Sequence, residues 1–552
     1  MSDVADDPFV LTDLGPASAT VEAALSEIEA ADVLQRLWQR DRALWTPALD
    51  GPDRFGWMAL PTTVLAEQLI DELDAFAAGV TADDISHVVL AGMGGSSLAP
   101  LVFQSTFRRA HDKPPLIVLD STDPAAVLRV DRLIDPASTL FIMSSKSGTT
   151  LEVQSFLAYY WQRVRRGERF CAITDAGSPL ERVGHDRAFR QIFLNPTDVE
   201  GRYAALSVIG LVPAVLIGLD PRPLLSSAAE EQRRSEPAGG AAPAGVWLGA
   251  LIGGLARAGR NKLTVLTSPR LAAFPLWLEQ LIAESTGKEG RGVVPIVGEP
   301  LGRVDRYAGD RCFVALRLEG DVNDHLDRHI EQLRGQHPLV VVRVDDLGGL
   351  GAEIYRWELA TVVAAWLLGV NPYDAPNVQE GKDNTNHVLS GVGPEGTVPE
   401  PPDELQLRGA DMRPLRQYLR QTADEDYVAL QAYLTPSRDM RRALGELRGY
   451  LRDGLGIATT LGYGPRFLHS TGQLHKGGPP QGVFLQLTYR PSEDLSIPGQ
   501  AYALRTLFQA QALGDLQALH ARGRPVLRLD LGQRNLEQAL ACLPVEATAG
   551  AS

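Results

Sequence analysis

The sequence predicts an α/β protein: two doubly wound parallel sheets, an N-terminal helical extension and a C-terminal α/β region. Three observations carry this. Short apolar runs at 88–90, 116–119, 140–143, 170–173 and 191–194 alternate with helical patterns, the signature of βαβ units. The alternation pauses at 237–245, a Pro-, Gly- and Ala-rich stretch, and resumes with runs at 263–266, 292–297, 312–316 and 339–344. Two runs end in turns rich in Gly or in Ser and Thr that lead straight into a helical pattern. Such sheets bind ligands there, beyond the carboxyl ends of the strands.

Taken in order, residues 1–84 carry apolar residues at helical spacing over 21–44 and 61–78, which defines the N-terminal extension. The first sheet domain is expected over 85–235 and the second over 246–370. Residues 371–412 are rich in Pro, Gly and Asn and read as a long ordered loop. Beyond it, runs at 428–433, 456–460, 483–487 and 526–529, with helices at 438–451 and 501–521, form the C-terminal α/β region, so that 371–552 is one loop-plus-α/β unit.

Composition narrows the function classes. With 552 residues, 44% hydrophobic and 22% charged, this is an ordinary globular composition of two to four domain-sized units. A net charge of −15 argues against a nucleic-acid or acidic-membrane partner. No apolar run approaches the roughly 20 residues of a membrane span, and the acidic N-terminus lacks a signal-peptide profile. Cys171, Cys312 and Cys542 are scattered, with neither metal-ligand nor disulfide spacing, which suits a reducing cytoplasm. Only six lysines stand against 47 arginines. Where Arg carries the ordinary surface charge, a lysine marks a place where Arg does not substitute. Lys146, Lys288, Lys382 and Lys476 all lie near Gly in polar turns.

The stretch 141–152, FIMSSKSGTTLE, is the main chemical signal. An N-cap needs one hydroxyl, but this turn offers five (Ser144, Ser145, Ser147, Thr149, Thr150) together with Lys146. Hydroxyls, backbone N–H groups and a helix N-terminus make an anion site. The turn Gly92-Met93-Gly94-Gly95-Ser96 does not fit the dinucleotide spacing G-x-G-x-x-G, so a sugar phosphate is the better reading. Arg202 stands at an expected helix start, where a cation is disfavoured, and Glu284 at a helix end, where a carboxylate is. The first suits an oxyanion contact, the second a general base. The turn 466–473 places His469 among Ser and Thr, and 376–382 carries Lys382.

Taken together, GMGGSSLAP, SSKSGTTLE, NPTDVEGRYAALSVIG, ESTGKEG, NVQEGKDNT and FLHSTGQLHKGG resemble the glucose-6-phosphate isomerase family, most nearly the isomerase half of bacterial transaldolase–isomerase fusions. The likeness spans roughly residues 85–490. It implies two sugar-isomerase (SIS) domains and interconversion of glucose 6-phosphate and fructose 6-phosphate through a cis-enediolate, with no cofactor and no metal. It further implies that Ser96, Ser145, Lys146, Ser147 and Thr150 hold the phosphate beside the Gly94–Gly95 turn. Glu284 would move a proton between C2 and C1, Arg202 would stabilise the enediolate, and His469 and Lys382 would open the ring. A homodimer is compatible with the resemblance.

Two departures stand out. Gly148 occupies a place where the family carries Phe, which leaves more room and resembles isomerases that also take mannose 6-phosphate. The His and Lys motifs occur in the reverse of the family order, so Lys476 rivals Lys382, and His475 and His387 rival His469. A non-catalytic sugar-phosphate sensor is the alternative from another class.

Overall fold

The computed structural model describes residues 8–532, apart from 46–47, 50–52, 67, 84, 238, 393–395, 403–404 and 409–412. Cys542 lies outside the described residues; Cys171 and Cys312 are buried free thiols.

Among the described residues the strands form three five-stranded sheets. An edge strand, β1 (Phe9–Asp13), opens the chain. Next come β2 (His87–Gly92), β3 (Leu116–Leu119), β4 (Thr139–Ser144), β5 (Phe170–Asp175) and β6 (Gln191–Asn195), all parallel in the order β3-β2-β4-β5-β6. The second sheet adds β7 (Lys262–Thr267), β8 (Val294–Val297), β9 (Arg311–Leu318) and β10 (Leu339–Val344), in the order β1-β10-β9-β7-β8. It is parallel except where β1 lies antiparallel to β10. The third is wholly parallel: β11 (Gln406–Arg408), β12 (Tyr427–Tyr433), β13 (Ala458–Tyr463), β14 (Gly482–Thr488) and β15 (Val526–Asp530), in the order β11-β15-β14-β12-β13. Every residue of β4 and β12 is buried. Continuous apolar runs are what central strands covered by helices on both faces require.

Three sequence expectations are corrected. The N-terminal extension is not purely helical, because Phe9–Asp13 joins the second sheet. Its five residues are only partly buried, and an edge strand this short leaves little alternation to detect. The long loop at 371–412 contains a fifteen-residue helix, Pro376–Ser390. Its buried residues, Asn377, Gly381, Thr385 and Val388, follow helical spacing, but three of them are small or polar, so hydrophobic periodicity misses it. Arg202 does not open a long helix: it sits in a 3-10 turn, Gly201–Tyr203, and the helix proper is Val208–Leu216, capped by Ser207.

The N-terminal helices and those of the first two sheets share one apolar core, which includes Leu73, Val212, Leu251 and Trp357. Among the described residues no helix is long and apolar enough to cross a membrane. The helix Ala244–Arg257 lies on Leu350–Leu368 along a glycine seam. A Cβ added at Gly249 would sit 2.6 Å from Val363 Cβ, and one at Gly245 3.0 Å from Leu359 Cδ2. The seam lets the two backbones approach, and neither side can yield without moving a buried helix. Gly249→Val should therefore lower the unfolding free energy by about 1–3 kcal/mol in urea denaturation. Gly309→Val, at a site with open space around its Cβ, should be close to neutral.

Candidate active site

Two strand-to-helix turns converge with the later segments that carry Arg202, Glu284 and His469. The first sheet supplies the Gly92–Ser96 turn after β2 and the hydroxyl turn after β4. In the latter, Ser145 Oγ and Thr150 Oγ1 are 2.8 Å apart, as are Ser147 Oγ and Thr149 Oγ1 at 2.9 Å. Lys146 Nζ donates to Asp175 Oδ2 at 2.5 Å, at the end of β5. Gly148 has φ +67°, and a Cβ there would lie 2.8 Å from Leu180 N and 3.0 Å from Ser178 Cβ. The room beside Gly148 is thus taken by the neighbouring turn.

Thr149, Thr150 and Glu152 line a cavity of about 280 Å³ with Lys382, His469 and Gln511. Ser145 joins it through Thr150. Ser96 is buried in the first turn of the helix Gly95–Thr106.

The second cluster is Arg202 with Glu284. Arg202 is 3% exposed. Its Nη1 donates to Glu284 Oε1 at 3.1 Å, its Nε to Ser285 Oγ at 2.8 Å, and its Nη2 to the carbonyls of Pro372 and Asp374 at 2.6 and 3.1 Å. Burial alone would pull its guanidinium down, but Glu284, Tyr203, Glu200 and Asp374 hold it above the usual arginine value. Lys288, also buried, pairs with Asp374 at 2.8 Å and fixes the same segment. Burial and the nearby Arg202 lower its pKa to about 8.

Gln280 links the clusters. Its Nε2 donates to Glu284 Oε2 at 3.0 Å and to the backbone carbonyl of His469 at 2.9 Å. The glycine turn makes this approach possible. A Cβ on Gly94 (φ +56°) would lie 2.6 Å from the His469 carbonyl oxygen, and one on Gly95 2.1 Å from the Gly201 carbonyl oxygen. One turn thereby seats both the His469 loop and the residue before Arg202.

Sequence reasoning missed Glu152. It is 3% exposed, in the first turn of the helix Leu151–Val164, and its Oε1 meets His469 Nε2 at 2.9 Å and accepts from Gln511 Nε2 at 2.6 Å. The available signal is an acid two residues after Thr150, which local pattern does not distinguish from an ordinary favourable charge at a helix start. The rival residues are placed as follows. His475 is buried against Phe484, with ring centroids 5.0 Å apart, and burial depresses its pKa well below the usual value. His387 is exposed in the last turn of its helix. Lys476 lines the cavity but is 2% exposed and bonded to Asp515, which is fully buried. Lys382 is exposed at the cavity wall.

The phosphoglucose isomerase family model matches residues 50–294. A probable glucose-6-phosphate isomerase of Haloarcula marismortui is 30% identical over 361 residues, 57% of this chain and 80% of the relative. The glucose-6-phosphate isomerase of Rubrobacter xylanophilus is 30% identical over 425 residues, 66% of this chain and 94% of the relative. A hypothetical protein of Thermus thermophilus superposes with a TM-score of 0.59 at 23% identity, covering 69% of this chain and 100% of that one. A glucose-6-phosphate isomerase structure from Chlamydia trachomatis gives 0.55 at 18% identity, covering 67% and 86%.

Glu152 supports a pH prediction. Burial pushes its carboxyl up, but the charge and hydrogen bond of His469, with Lys382 nearby, outweigh this and hold it below the usual 4.5. Its contribution to stability is complete above that value and is lost as pH falls through the lower, folded-state value. Glu152→Gln should be less stable than the parent near neutral pH by about 1–3 kcal/mol. In denaturant melts the gap should narrow progressively as pH falls below about 5; a gap that stays constant as the protein is acidified would contradict the assignment.

Proposed function

This chain belongs to the phosphoglucose isomerase family and interconverts glucose 6-phosphate and fructose 6-phosphate; we propose that Glu284, Arg202, His469 and Lys382 carry the reaction. The observation that supports this most is the run of contacts from Arg202 through Glu284 and Gln280 to His469, ending beside a hydroxyl-lined cavity.

In this reading the phosphate docks at the hydroxyl turn, on Ser145, Ser147 and Thr150 with Ser96 and Lys146 close by. Binding energy at that remote end positions the reacting carbons. His469 and Lys382 move a proton between the ring oxygen and the C1 hydroxyl, which opens the ring. Glu152 acts through His469, holding the imidazole in place through the Oε1–Nε2 contact. Glu284 then removes the C2 proton as the electron pair of that bond moves toward the C1 carbonyl oxygen. The cis-enediolate formed carries its negative charge near Arg202; the C2 hydroxyl proton passes to the C1 oxygen, and Glu284 returns its proton to C1 as the C2 carbonyl forms. Side chains supply the base, the oxyanion donor and the acid, so the proposed chemistry is metal-independent. Scattered cysteines are consistent with a cytoplasmic setting, and the assembly compatible with the family resemblance is a homodimer.

Glucose 6-phosphate should turn over with EDTA present; absence of turnover in either direction would defeat the reading. Glu284→Gln should lower kcat by on the order of 10³ or more while sparing substrate affinity. Arg202→Met should cost about 10²–10³ in kcat. In deuterated water both variants should lose solvent exchange at C2 in parallel with turnover.

A further inference from the structure

The third sheet carries its own cavity, also about 280 Å³, at its carboxyl edge. From β12 the chain winds to β13 on one side, then crosses back to β14 and β15 on the other, so the winding reverses between β12 and β14. A crevice opens beyond the strand ends at such a reversal, and ligands bind there. Tyr433, Thr488 and Asp530, the last residues of β12, β14 and β15, all line this cavity. Tyr433 and Phe508, with ring centroids 5.6 Å apart, give it an apolar wall.

The charged groups are not equivalent. Arg490 pairs with Glu400 at 2.9 Å and lies 3.7 Å from Asp530, which offsets both acids on the wall. Arg505 pairs with Asp494 at 3.3 Å. Arg528 is only 8% exposed; its Nε donates to Gln486 Oε1 at 2.7 Å, but its buried Nη2 has no hydrogen-bond partner among the described residues. Burial lowers its pKa to about 10, so it remains a cation at neutral pH. A buried guanidinium donor without an acceptor is costly; Arg528 lines the cavity, and a small shift of its guanidinium toward an anionic oxygen bound there would supply that acceptor.

We propose that this cavity is a second ligand site, which takes a small organic anion through a carboxylate or phosphate group held by Arg528. It is separate from the catalytic crevice: the helix Leu504–Ala521 turns Phe508 and Ala512 to this cavity and Gln511 to the crevice.

The test is calorimetric titration of the full chain with inorganic phosphate or malonate, run in parallel on Arg528→Met so that binding in the crevice, common to both, is subtracted. One further equivalent of at least one probe should bind. Preference for one probe would identify the group recognised. Arg528→Met should weaken that binding about tenfold or more, with circular dichroism unchanged, whereas Arg505→Gln, on the rim, should retain most of it. Should Arg528→Met fail to fold, crystals of the parent soaked in malonate decide: density against Arg528 Nη2 supports the site. Absence of additional binding by either probe in the millimolar range, equal binding by Arg528→Met, or a soaked cavity without density at Arg528 would overturn the proposal.

Discussion

A guanidinium buried to the depth of Arg202 is tolerated only if its donors find acceptors, and that requirement organises the centre of the molecule. The acceptors come from two distant stretches: Glu284 and Ser285 on one helix, and the carbonyls of Pro372 and Asp374. The Gly201–Tyr203 turn, the helix Phe274–Thr286 and the segment before Pro376 must therefore meet at one point. Trp277 tightens the joint by donating to the Arg202 carbonyl at 3.0 Å. Two of the acceptors are neutral carbonyls and one is a hydroxyl, while Glu284 is the anion bonded to Nη1. A second negative charge arriving on a substrate oxygen would find a cation already held in place, with no reorganisation to wait for.

Two carboxylates flank the site, Glu152 buried and Glu284 half-buried, and their partners set them apart. Glu152 lies in the first turn of a helix, where its charge is favoured, and is shared by an imidazole and an amide. Glu284 lies in the last turn of another, where its charge is disfavoured, and depends on Arg202 and Gln280. Different surroundings for two like groups are how one site separates an orienting carboxylate from a proton-transferring one. The glycine pair Gly94–Gly95 is needed because these systems lie close together; a side chain at either position would collide with backbone on one side of the junction.

The strand-turn-helix units were legible because fully buried strands are continuous apolar runs and because turns with five hydroxyls or three glycines are rare. Glu284 was legible because a carboxylate at a helix end opposes the dipole; Arg202 drew attention by the same rule, although it sits in a 3-10 turn ahead of the helix. Other features left little trace. The edge strand Phe9–Asp13 is held by backbone pairing to β10 more than by its side chains. The helix Pro376–Ser390 turns Asn377, Gly381 and Thr385 inward, so its inner face is small and polar, and it packs on the helix Leu504–Ala521 with Gly514 against Thr385. Glu152 and Gln511 meet across 359 positions of sequence, a pairing that local pattern does not encode.

Lysine scarcity turns out to have a geometric counterpart. Lys146, Lys262, Lys288 and Lys476 each reach one aspartate (Asp175, Asp310, Asp374 and Asp515), and the last three lysines are at most 4% exposed. A compact ammonium fits a narrow gap facing one carboxylate, whereas the planar fork of Arg needs room for two parallel bonds. Lys476 with Asp515 thus ties the helix Gly472–Gly477, just after His469, to the helix Leu504–Ala521 that carries Gln511. Breaking such a buried pair to release a proton leaves an uncompensated charge, at a cost of about 3–5 kcal/mol. That cost suits a strut and weighs against a proton carrier that must change state in every turnover. Lys382, exposed and lining the same cavity, bears no such penalty. The proposed preference for Lys382 over Lys476, which sequence alone does not rank, rests on the free energy of moving a charge out of water.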